Sequence, residues 1–430
     1  MASMAWRALP AACMASVVQR KFSCRAESKD SQDSWKPQIT CFGEAMLRYV
    51  PDPEGGEQSP FAAKWLRSVG GAELNITVAL SKLGWGGRSR WVSVVPQGVL
   101  GDDFLNVLRK AYPNGGLENL ELVRREAGDV GIYHVWPAEH KIWFQRHRSI
   151  FGLMNPNWFS RDFWQLLLKE GASTGAPQVL HVTGITPLIS VNTRAAWNHA
   201  LEAAMLVKEE GKSGKSLVVT MDLNHRPALG PWRDLWNMAE PHLQTLDLLV
   251  FSIGDVIQVG ETFGENFAAE FKALREESPG RSGAARLDVL VRKSMAKLQA
   301  YLGFRTNIAV TCKVRDHMPG KLPQQLRWSV VCKKGKSATL DGAMISTFDT
   351  AVPQQVKEEI GGGDSWLSGV IDGLVGCPEA GVAAPNWSEN MWLRAMQRGD
   401  MLAVLKQQVL GDFSNVERPV LEAALAAHHR

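Results

Sequence analysis

The sequence predicts an α/β fold in which helices cover both faces of a mostly parallel β-sheet. Short apolar runs alternate with segments in which apolar residues recur about every 3.6 positions, and this alternation is typical of repeated strand–helix units. Of the 430 residues, 45% are hydrophobic and 21% are charged, which is the composition of a globular protein. The sequence contains no uncharged apolar run of about 18 residues, so we expect no membrane-spanning helix.

Six apolar runs are predicted to be strands, because each is short and is followed by turn or helix residues. They are Ile39–Phe42, Arg90–Val95, Val179–Thr183, Leu217–Met221, Leu246–Phe251 and Asn307–Cys312. A helix is predicted where apolar residues repeat at helical spacing, as Ile76, Leu80 and Leu83 do after the first strand. Ligands of parallel sheets bind at the carboxyl ends of the strands, so polar residues directly after a strand are the first candidates for a site.

Two stretches, at residues 45–65 and 129–148, interrupt this alternation and are predicted to form a small β-sheet that acts as a lid. Asp129–Arg148 has the pattern of a hairpin, with two aromatic-rich strands around a turn at Pro137–Lys141. Gly260–Pro279 is rich in glycine, alanine and charge, and is predicted to be a surface insertion.

The first 37 residues are predicted to lie outside the fold. Met1–Ala26 contains Arg7, Arg20, Lys21 and Arg25 but no acidic residue, a pattern typical of an organellar transit peptide. The alternative is a disordered extension without a targeting function. We therefore expect an intracellular protein, in the mitochondrion or plastid if the tail is a transit peptide and in the cytoplasm otherwise.

Charge and cysteine content exclude further classes of protein. The formal net charge of +4 is small for this length, and the basic residues form no continuous stripe. Nucleic-acid binding is therefore not expected, because it requires a concentrated basic surface. The six cysteines are scattered, without the close pairs of a zinc site or the density of a disulfide scaffold, so reduced thiols are expected.

The strongest chemical motif is Gly361-Gly362-Gly363-Asp364, directly before an amphipathic helix. Consecutive glycines let the backbone N–H groups approach a ligand, and the helix that begins there favours an anion such as phosphate. Asp364 is placed to take a proton from a hydroxyl that attacks this phosphate. The alternative is an aspartate that only caps a helix after a flexible turn.

Two weaker motifs follow predicted strands or precede helices. Arg226, within Asp222–Pro227, follows the fourth predicted strand, where a guanidinium can bind a carboxylate or phosphate. The paired glycines Gly70 and Gly71 precede a helix that carries Asn75, which suits contact with a sugar. Taken singly, each also fits a solvated turn.

A third motif, Gly211–Ser216, is similar to a phosphate-binding P-loop but lacks two of its features. Glu209 occupies the position of the first required glycine, and the segment precedes a strand where a P-loop would follow one. We predict a solvated loop.

Taken in order, these motifs resemble those of the ribokinase-like (PfkB) family of carbohydrate kinases. Gly361–Asp364 is similar to the family's glycine-rich signature, and Gly70–Asn75 resembles its amino-terminal signature. Within the family, the sequence is most similar to 2-keto-3-deoxygluconate kinases, because further motifs match between Ile39 and Leu421. These motifs are Gly43–Arg48, Gly131–Tyr133, Phe144–Arg146, Thr183–Pro187, Asp222–Pro227 and Gly411–Phe413.

The resemblance implies a ribokinase-like fold for residues 38–425 and ATP-dependent phosphorylation of a sugar or sugar acid at a primary hydroxyl, assisted by Mg²⁺. It implies that Asp364 is the general base, and that the N–H groups of Gly361, Gly362 and Gly363 bind the transferring phosphoryl group. The residues implied to hold the acceptor are Gly70, Gly71, Asn75, Tyr133, Arg146 and Arg226, with the two arginines facing the carboxylate of a sugar acid. Those implied to lie near the nucleotide are Thr311, Lys313 and Gly335. Pairing of two lids into a homodimer is also implied.

The sequence departs from the family pattern at the magnesium and nucleotide motifs. The family's Asn-x-x-Glu motif appears as Ser252–Asp255, so Asp255 is the residue implied to hold a hydrated magnesium ion through water. The glycine-rich stretch expected after Thr311 is hard to recognise, with Lys313–Arg315 where the family often has a small residue. Two alternatives therefore stay open: a kinase for a neutral sugar such as fructose or ribose, and a catalytically silent PfkB-like scaffold or regulatory protein.

Overall fold

The computed structural model describes residues 38–52, 64–136, 141–170, 178–210, 217–277, 280–316, 324–335, 344–376 and 387–428. The predicted transit peptide, the solvated loop at 211–216 and the turn of the lid hairpin at 137–140 lie outside these ranges. What the sequence predicts for them therefore stays a prediction, as does the homodimer.

The strands and helices of the described residues alternate for most of the chain. In chain order the strands are β1 (Gln38–Phe42), β2 (Met46–Pro51), β3 (Trp65–Gly70), β4 (Ser89–Pro96), β5 (Val123–Glu126), β6 (Gly131–Trp136), β7 (Lys141–Gln145), β8 (Gln178–Thr183), β9 (Leu217–Asp222), β10 (Leu248–Ser252), β11 (Asn307–Asp316), β12 (Gln324–Cys332), β13 (Met344–Ser346) and β14 (Val352–Gln355). The helices are α1 (Ala72–Leu80), α2 (Gly98–Ala111), α3 (Arg161–Glu170), α4 (Thr186–Ile189), α5 (Val191–Glu210), α6 (Trp232–Ala239), α7 (Ile253–Thr262), α8 (Phe267–Glu277), α9 (Gly280–Tyr301), α10 (Gly362–Val375), α11 (Glu389–Gln407) and α12 (Arg418–His428).

The main sheet has the order β13-β12-β11-β10-β9-β8-β1-β4-β5, with β14 also paired to β12. All pairings from β5 to β11 are parallel, and β12 runs antiparallel to β11, β13 and β14. The six predicted strands are confirmed as the six consecutive strands β11, β10, β9, β8, β1 and β4. Their carboxyl ends therefore lie along one edge of the sheet.

The lid is a separate sheet with the order β3-β2-β6-β7. Its central pairing is parallel and places Arg48 of β2 opposite Tyr133 of β6. The two strands predicted for the hairpin at 129–148 are confirmed as β6 and β7, which pair antiparallel.

Helices cover both faces of the main sheet, as the sequence predicts. One apolar cluster contains Trp164, Trp197 and Phe251, and the other contains Trp366 and Trp392 on α10 and α11. Cys41, Cys312 and Cys332 are buried free thiols. Within the described ranges, no helix combines the length and apolar character needed to cross a bilayer.

The described residues of Gly260–Pro279, predicted to be a surface insertion, lie mostly at the surface but are largely helical. The segment contains the end of α7 and the whole of α8, and Phe267 and Phe271 are each only 1% exposed. These two aromatic residues are four positions apart, so they lie on the same face of α8 and anchor it to the core.

Candidate active site

A cavity of about 1240 Å³ opens at the carboxyl edge of the parallel strands, lined on one side by the lid sheet. Twelve of the fourteen residues predicted for the site line this cavity. They are Gly70, Gly71, Asn75, Tyr133, Arg146, Arg226, Asp255, Thr311, Lys313, Gly361, Gly363 and Asp364. Gly362 and Gly335 are not among the residues that line it.

Asp364 lies in the first turn of α10, at the tip that faces the cavity. Gly361 caps this helix in the left-handed conformation, with φ of 75°. The Nδ2 atom of Asn75, on α1, donates a hydrogen bond to Oδ2 of Asp364 at 2.6 Å. The two motifs that the sequence keeps 289 residues apart are therefore in direct contact.

Asp364 shares its surroundings with two further carboxyl groups, Asp222 at the end of β9 and Asp255 at the start of α7. Burial raises the pKa of Asp364 to about 6, although the hydrogen bond from Asn75 and the charge of Arg226 lower it. Burial, and then the charges of Asp255 and Asp364, raise the pKa of Asp222 to about 8. Burial also raises the pKa of Asp255. These shifts indicate a concentration of negative charge that a cation would relieve.

The carboxyl groups fit a hydrated magnesium ion better than an ion held by protein atoms alone. Asp255 and Ser252 form a capping box: Oδ2 of Asp255 accepts from the Ser252 N–H at 2.7 Å, and Oγ of Ser252 accepts from the Asp255 N–H at 3.1 Å. In the described ranges, no three His, Cys, Asp or Glu side chains are close enough to share a metal ion. Mg²⁺ keeps several of its waters and needs only one or two carboxylates, so contact through water is the arrangement that fits.

Of the three glycine N–H groups predicted to bind an anion at the helix tip, one is used in a bond within the protein. The N–H of Gly362 donates to the carbonyl of Glu359 at 3.2 Å, so this glycine serves the turn before the helix. Gly361 and Gly363 line the cavity and remain the candidates for binding an anion. A Cβ at Gly361 would lie 2.2 Å from the carbonyl oxygen of Asp412, whereas a Cβ at Gly363 would meet no atom within 4 Å.

At the lid end of the cavity, Arg146 is already paired with a carboxylate. Its Nε and Nη2 atoms bond Oε2 of Glu44 at 2.7 and 2.6 Å, and both side chains are buried. The hydroxyl of Ser149 donates to the other oxygen of Glu44 at 2.5 Å. The positive charge that the sequence assigned to a substrate carboxylate is therefore largely neutralised within the protein.

A buried group of four side chains, which we call the lid joint, connects the lid to the loop before α10. Its members are Arg48 and Tyr133 from the lid, and Glu358 and Asp412 from the main body. Tyr133 donates to Oδ2 of Asp412 at 2.5 Å, and Nε of Arg48 lies 3.0 Å from Oδ1 of the same residue. Arg48 also forms an ion pair with Glu358. The loop that carries the helix tip is thus tied directly to the lid.

Of the three residues predicted to lie near the nucleotide, two line the cavity and the third does not. Thr311 and Lys313 line the cavity on β11, where Nζ of Lys313 lies 3.0 Å from Oε2 of Glu359. Gly335 lies at the opposite edge of the sheet, and its N–H bonds the carbonyl of Phe304 at 3.0 Å. The reason is that β12 runs antiparallel to β11 and ends opposite Ile308, at the start of that strand.

Some residues of the site were not assigned a role from the sequence, among them Glu44, Asp222 and Asp412, which all line the cavity. Each is an acidic residue inside a motif that the sequence singled out. Glu44 lies two residues after the end of β1, and Asp222 is the last residue of β9. An acidic residue at the carboxyl end of such a strand was the signal that would have found those two.

Solved structures share this architecture. The 2-dehydro-3-deoxygluconokinase of Thermotoga maritima matches with a TM-score of 0.64 at 19% identity, over 91% of this chain and 98% of that one. An ATP-bound fructokinase from Xylella fastidiosa matches with a TM-score of 0.57 at 16% identity, over 91% of this chain and 99% of that one. The described residues therefore have the ribokinase-like α/β fold.

Sequence comparison finds similarity to one family of kinases. Residues 36–112 match the family model described as pfkB family carbohydrate kinase. Probable fructokinase-6, chloroplastic, of Arabidopsis thaliana is 25% identical over 238 residues, which is 55% of this chain and 54% of that protein. The chain spans 54–64% of the length of the curated relatives it matches. The chain is therefore similar to pfkB family carbohydrate kinases over residues 36–112.

Proposed function

We propose that this protein is a carbohydrate kinase that uses ATP to phosphorylate a sugar or sugar acid at a primary hydroxyl, with Asp364 as the general base. The observation that supports this most is the position of Asp364. Its carboxylate lies at a helix tip facing a large cavity, held by Asn75 at 2.6 Å and flanked by Gly361 and Gly363. The proposed base, Asp364, therefore lies next to the two glycines proposed to bind the anion.

In the proposed reaction, phosphoryl transfer requires alignment and compensation of charge more than covalent chemistry. The hydrogen bond from Asn75 orients the carboxylate of Asp364, which accepts the proton of the acceptor hydroxyl as that oxygen attacks the γ-phosphate. The N–H groups of Gly361 and Gly363 stabilise the oxygens of the transferring group. A magnesium ion held through water by Asp222 and Asp255 would supply further positive charge. Tyr133 and Phe144 of the lid exclude water from the cavity.

Two acceptor classes fit the cavity. A sugar acid similar to 2-keto-3-deoxygluconate is our first candidate, because Arg226 is exposed at the cavity rim and, among the described residues, bonds a backbone carbonyl alone, at 3.4 Å. A neutral sugar such as fructose is the second candidate, and a specific observation favours it. Glu44 already compensates Arg146, so of the two arginines implied to hold the acceptor, Arg226 alone is left to attract a substrate carboxylate.

An acceptor panel in a coupled ADP-release assay tests this proposal, with ATP, Mg²⁺ and the Asp364→Asn variant as the blank. We expect turnover of at least one sugar or sugar acid above this blank. Preference for an acid supports the first candidate, and preference for a neutral sugar supports the second. If no acceptor is turned over and ATP with Mg²⁺ leaves the melting temperature unchanged, the protein is instead a silent scaffold.

The activity should also depend on pH in a defined direction. The base must be ionised to accept a proton, and burial raises the pKa of Asp364 to about 6. We therefore expect kcat/KM to be constant above about pH 7 and to fall tenfold for each pH unit below about 6. A profile measured with a neutral acceptor between about pH 5 and 8 checks this. A flat profile across that range would contradict the role of Asp364.

A further inference from the structure

The far end of the cavity contains a buried arginine that the function proposed so far does not use. Arg327 lies on β12, lines the cavity and is only 4% exposed. Within the described ranges, its Nε and Nη1 atoms have no hydrogen-bond partner. Buried donors are paired in nearly all proteins, so the Nε and Nη1 atoms of this buried guanidinium call for a partner that the described residues do not supply.

The nearest carboxylate does not fill this need. Asp400 is close enough for its charge to act on Arg327, but its oxygens are already bonded by neutral donors. They accept hydrogen bonds from Thr347 at 2.6 Å, from Ser329 at 3.1 Å and from the indole of Trp366 at 3.1 Å. No described residue forms a close ion pair with Arg327.

The position of Arg327 indicates what kind of ligand it would meet. The cavity runs along the strand order β1, β8, β9, β10, β11, β12, which spans about 24 Å at about 4.8 Å per strand. Glu44 and Arg146 lie at the β1 end, and Arg327 lies at the β12 end. Asp222, at the end of β9, lies between these two ends. Asp364 is close enough to Asp222 for its charge to raise the pKa of Asp222. An acceptor at the lid end therefore leaves the other end for the phosphate donor.

A second cation lies beside Arg327. Lys313 of β11 is directly opposite Arg327 in the antiparallel ladder, so the two side chains emerge on the same face. Like charges that face each other across a sheet repel, unless an anion lies between them. Glu359 compensates Lys313 at 3.0 Å, which leaves Arg327 as the cation in greater need of an anionic ligand.

We propose that Arg327 binds the polyphosphate of a nucleoside di- or triphosphate, next to Lys313. This inference rests on the proposed kinase function. The guanidinium turns from its buried position toward the cavity when the nucleotide enters. A forked cation suits phosphate oxygens, which accept two parallel hydrogen bonds.

Calorimetric titration of the full-length protein with ADP and with adenosine tests this inference. We expect Arg327→Met to weaken ADP binding at least about 30-fold and to leave adenosine binding unchanged, because only ADP carries phosphate. Arg327→Lys should recover most of the affinity. Arg90→Met is the matched control: Arg90 is equally buried at 4% exposure, but it bonds Gln38 at 2.5 Å and does not line the cavity.

Each outcome bears on a different statement. If the Arg327→Met protein binds ADP within about twofold of wild type, the inference is wrong and the kinase proposal stands. If wild type binds no nucleotide and phosphorylates nothing, the kinase proposal itself fails. The ligand-free Arg327→Met protein should melt close to wild type, because no described residue bonds Nε or Nη1. Its failure to fold would show a structural role and also contradict the inference.

Discussion

Replacing Asp364 by asparagine is expected to lower kcat by about 10²–10⁴-fold while leaving the fold and ligand binding intact. Asparagine has nearly the same shape, and its side-chain oxygen can still accept the hydrogen bond from Asn75 that now measures 2.6 Å. It cannot accept the proton of the acceptor hydroxyl. Initial rates in the ADP-release assay give kcat, and calorimetric titration with ATP gives the affinity.

The control for this variant is Asp234→Asn. Asp234 also lies in the first turn of a helix, α6, but it does not line the cavity. We expect this control to retain wild-type kcat. An Asp364→Asn protein that keeps more than about a tenth of wild-type activity would show that another group removes the proton.

The second large effect is expected from Gly361→Ala. Gly361 has φ of 75°, where an L-residue is strained, and the new Cβ would lie 2.2 Å from the Asp412 carbonyl oxygen. Strain and overpacking together should reduce the free energy of unfolding by about 2–5 kcal/mol. Displacement of an anion-binding N–H should lower kcat by a further factor of about 10² or more. Thermal melting and initial rates measure the two effects separately.

Gly363→Ala is the matched control for the stability effect. It makes the same substitution two residues along the same helix tip, where the new Cβ would meet no atom within 4 Å. We expect its melting temperature to equal that of wild type or to exceed it slightly, because alanine favours the helix. Equal melting temperatures for the two variants would refute the close approach at Gly361.

Most of the parallel sheet could be predicted from the sequence, because its strands are continuous apolar runs buried on both faces. The antiparallel strand β12 could not be found in this way, because polar residues such as Gln325, Arg327 and Ser329 alternate along it. Phe267 and Phe271 anchor α8 in a segment whose glycine and charge content indicated an insertion. The prediction relied on composition and overlooked that these two aromatic residues have the spacing of one helix face.

The site was predicted as separate motifs, and its pairings were not. Asp364 and Asn75 were each identified from a local pattern, but they are 289 positions apart and their contact depends on the fold of the chain between them. The pairing of Arg146 with Glu44 is equally non-local, and it changes the charge offered to a substrate. Gly335 was placed near the nucleotide only because the family resemblance implied it. The continuous β11–β12 ladder carries it to the other edge of the sheet.

The lid joint has a consequence for how the protein opens. A flap that swings on a flexible tether can move without disturbing the residues that perform the reaction. Here Arg48 forms an ion pair with Glu358, and Tyr133 donates a hydrogen bond to Asp412. The carbonyl of Asp412 in turn lies close to Gly361. A movement of the lid that breaks the lid joint would therefore also shift the helix tip proposed to bind phosphate.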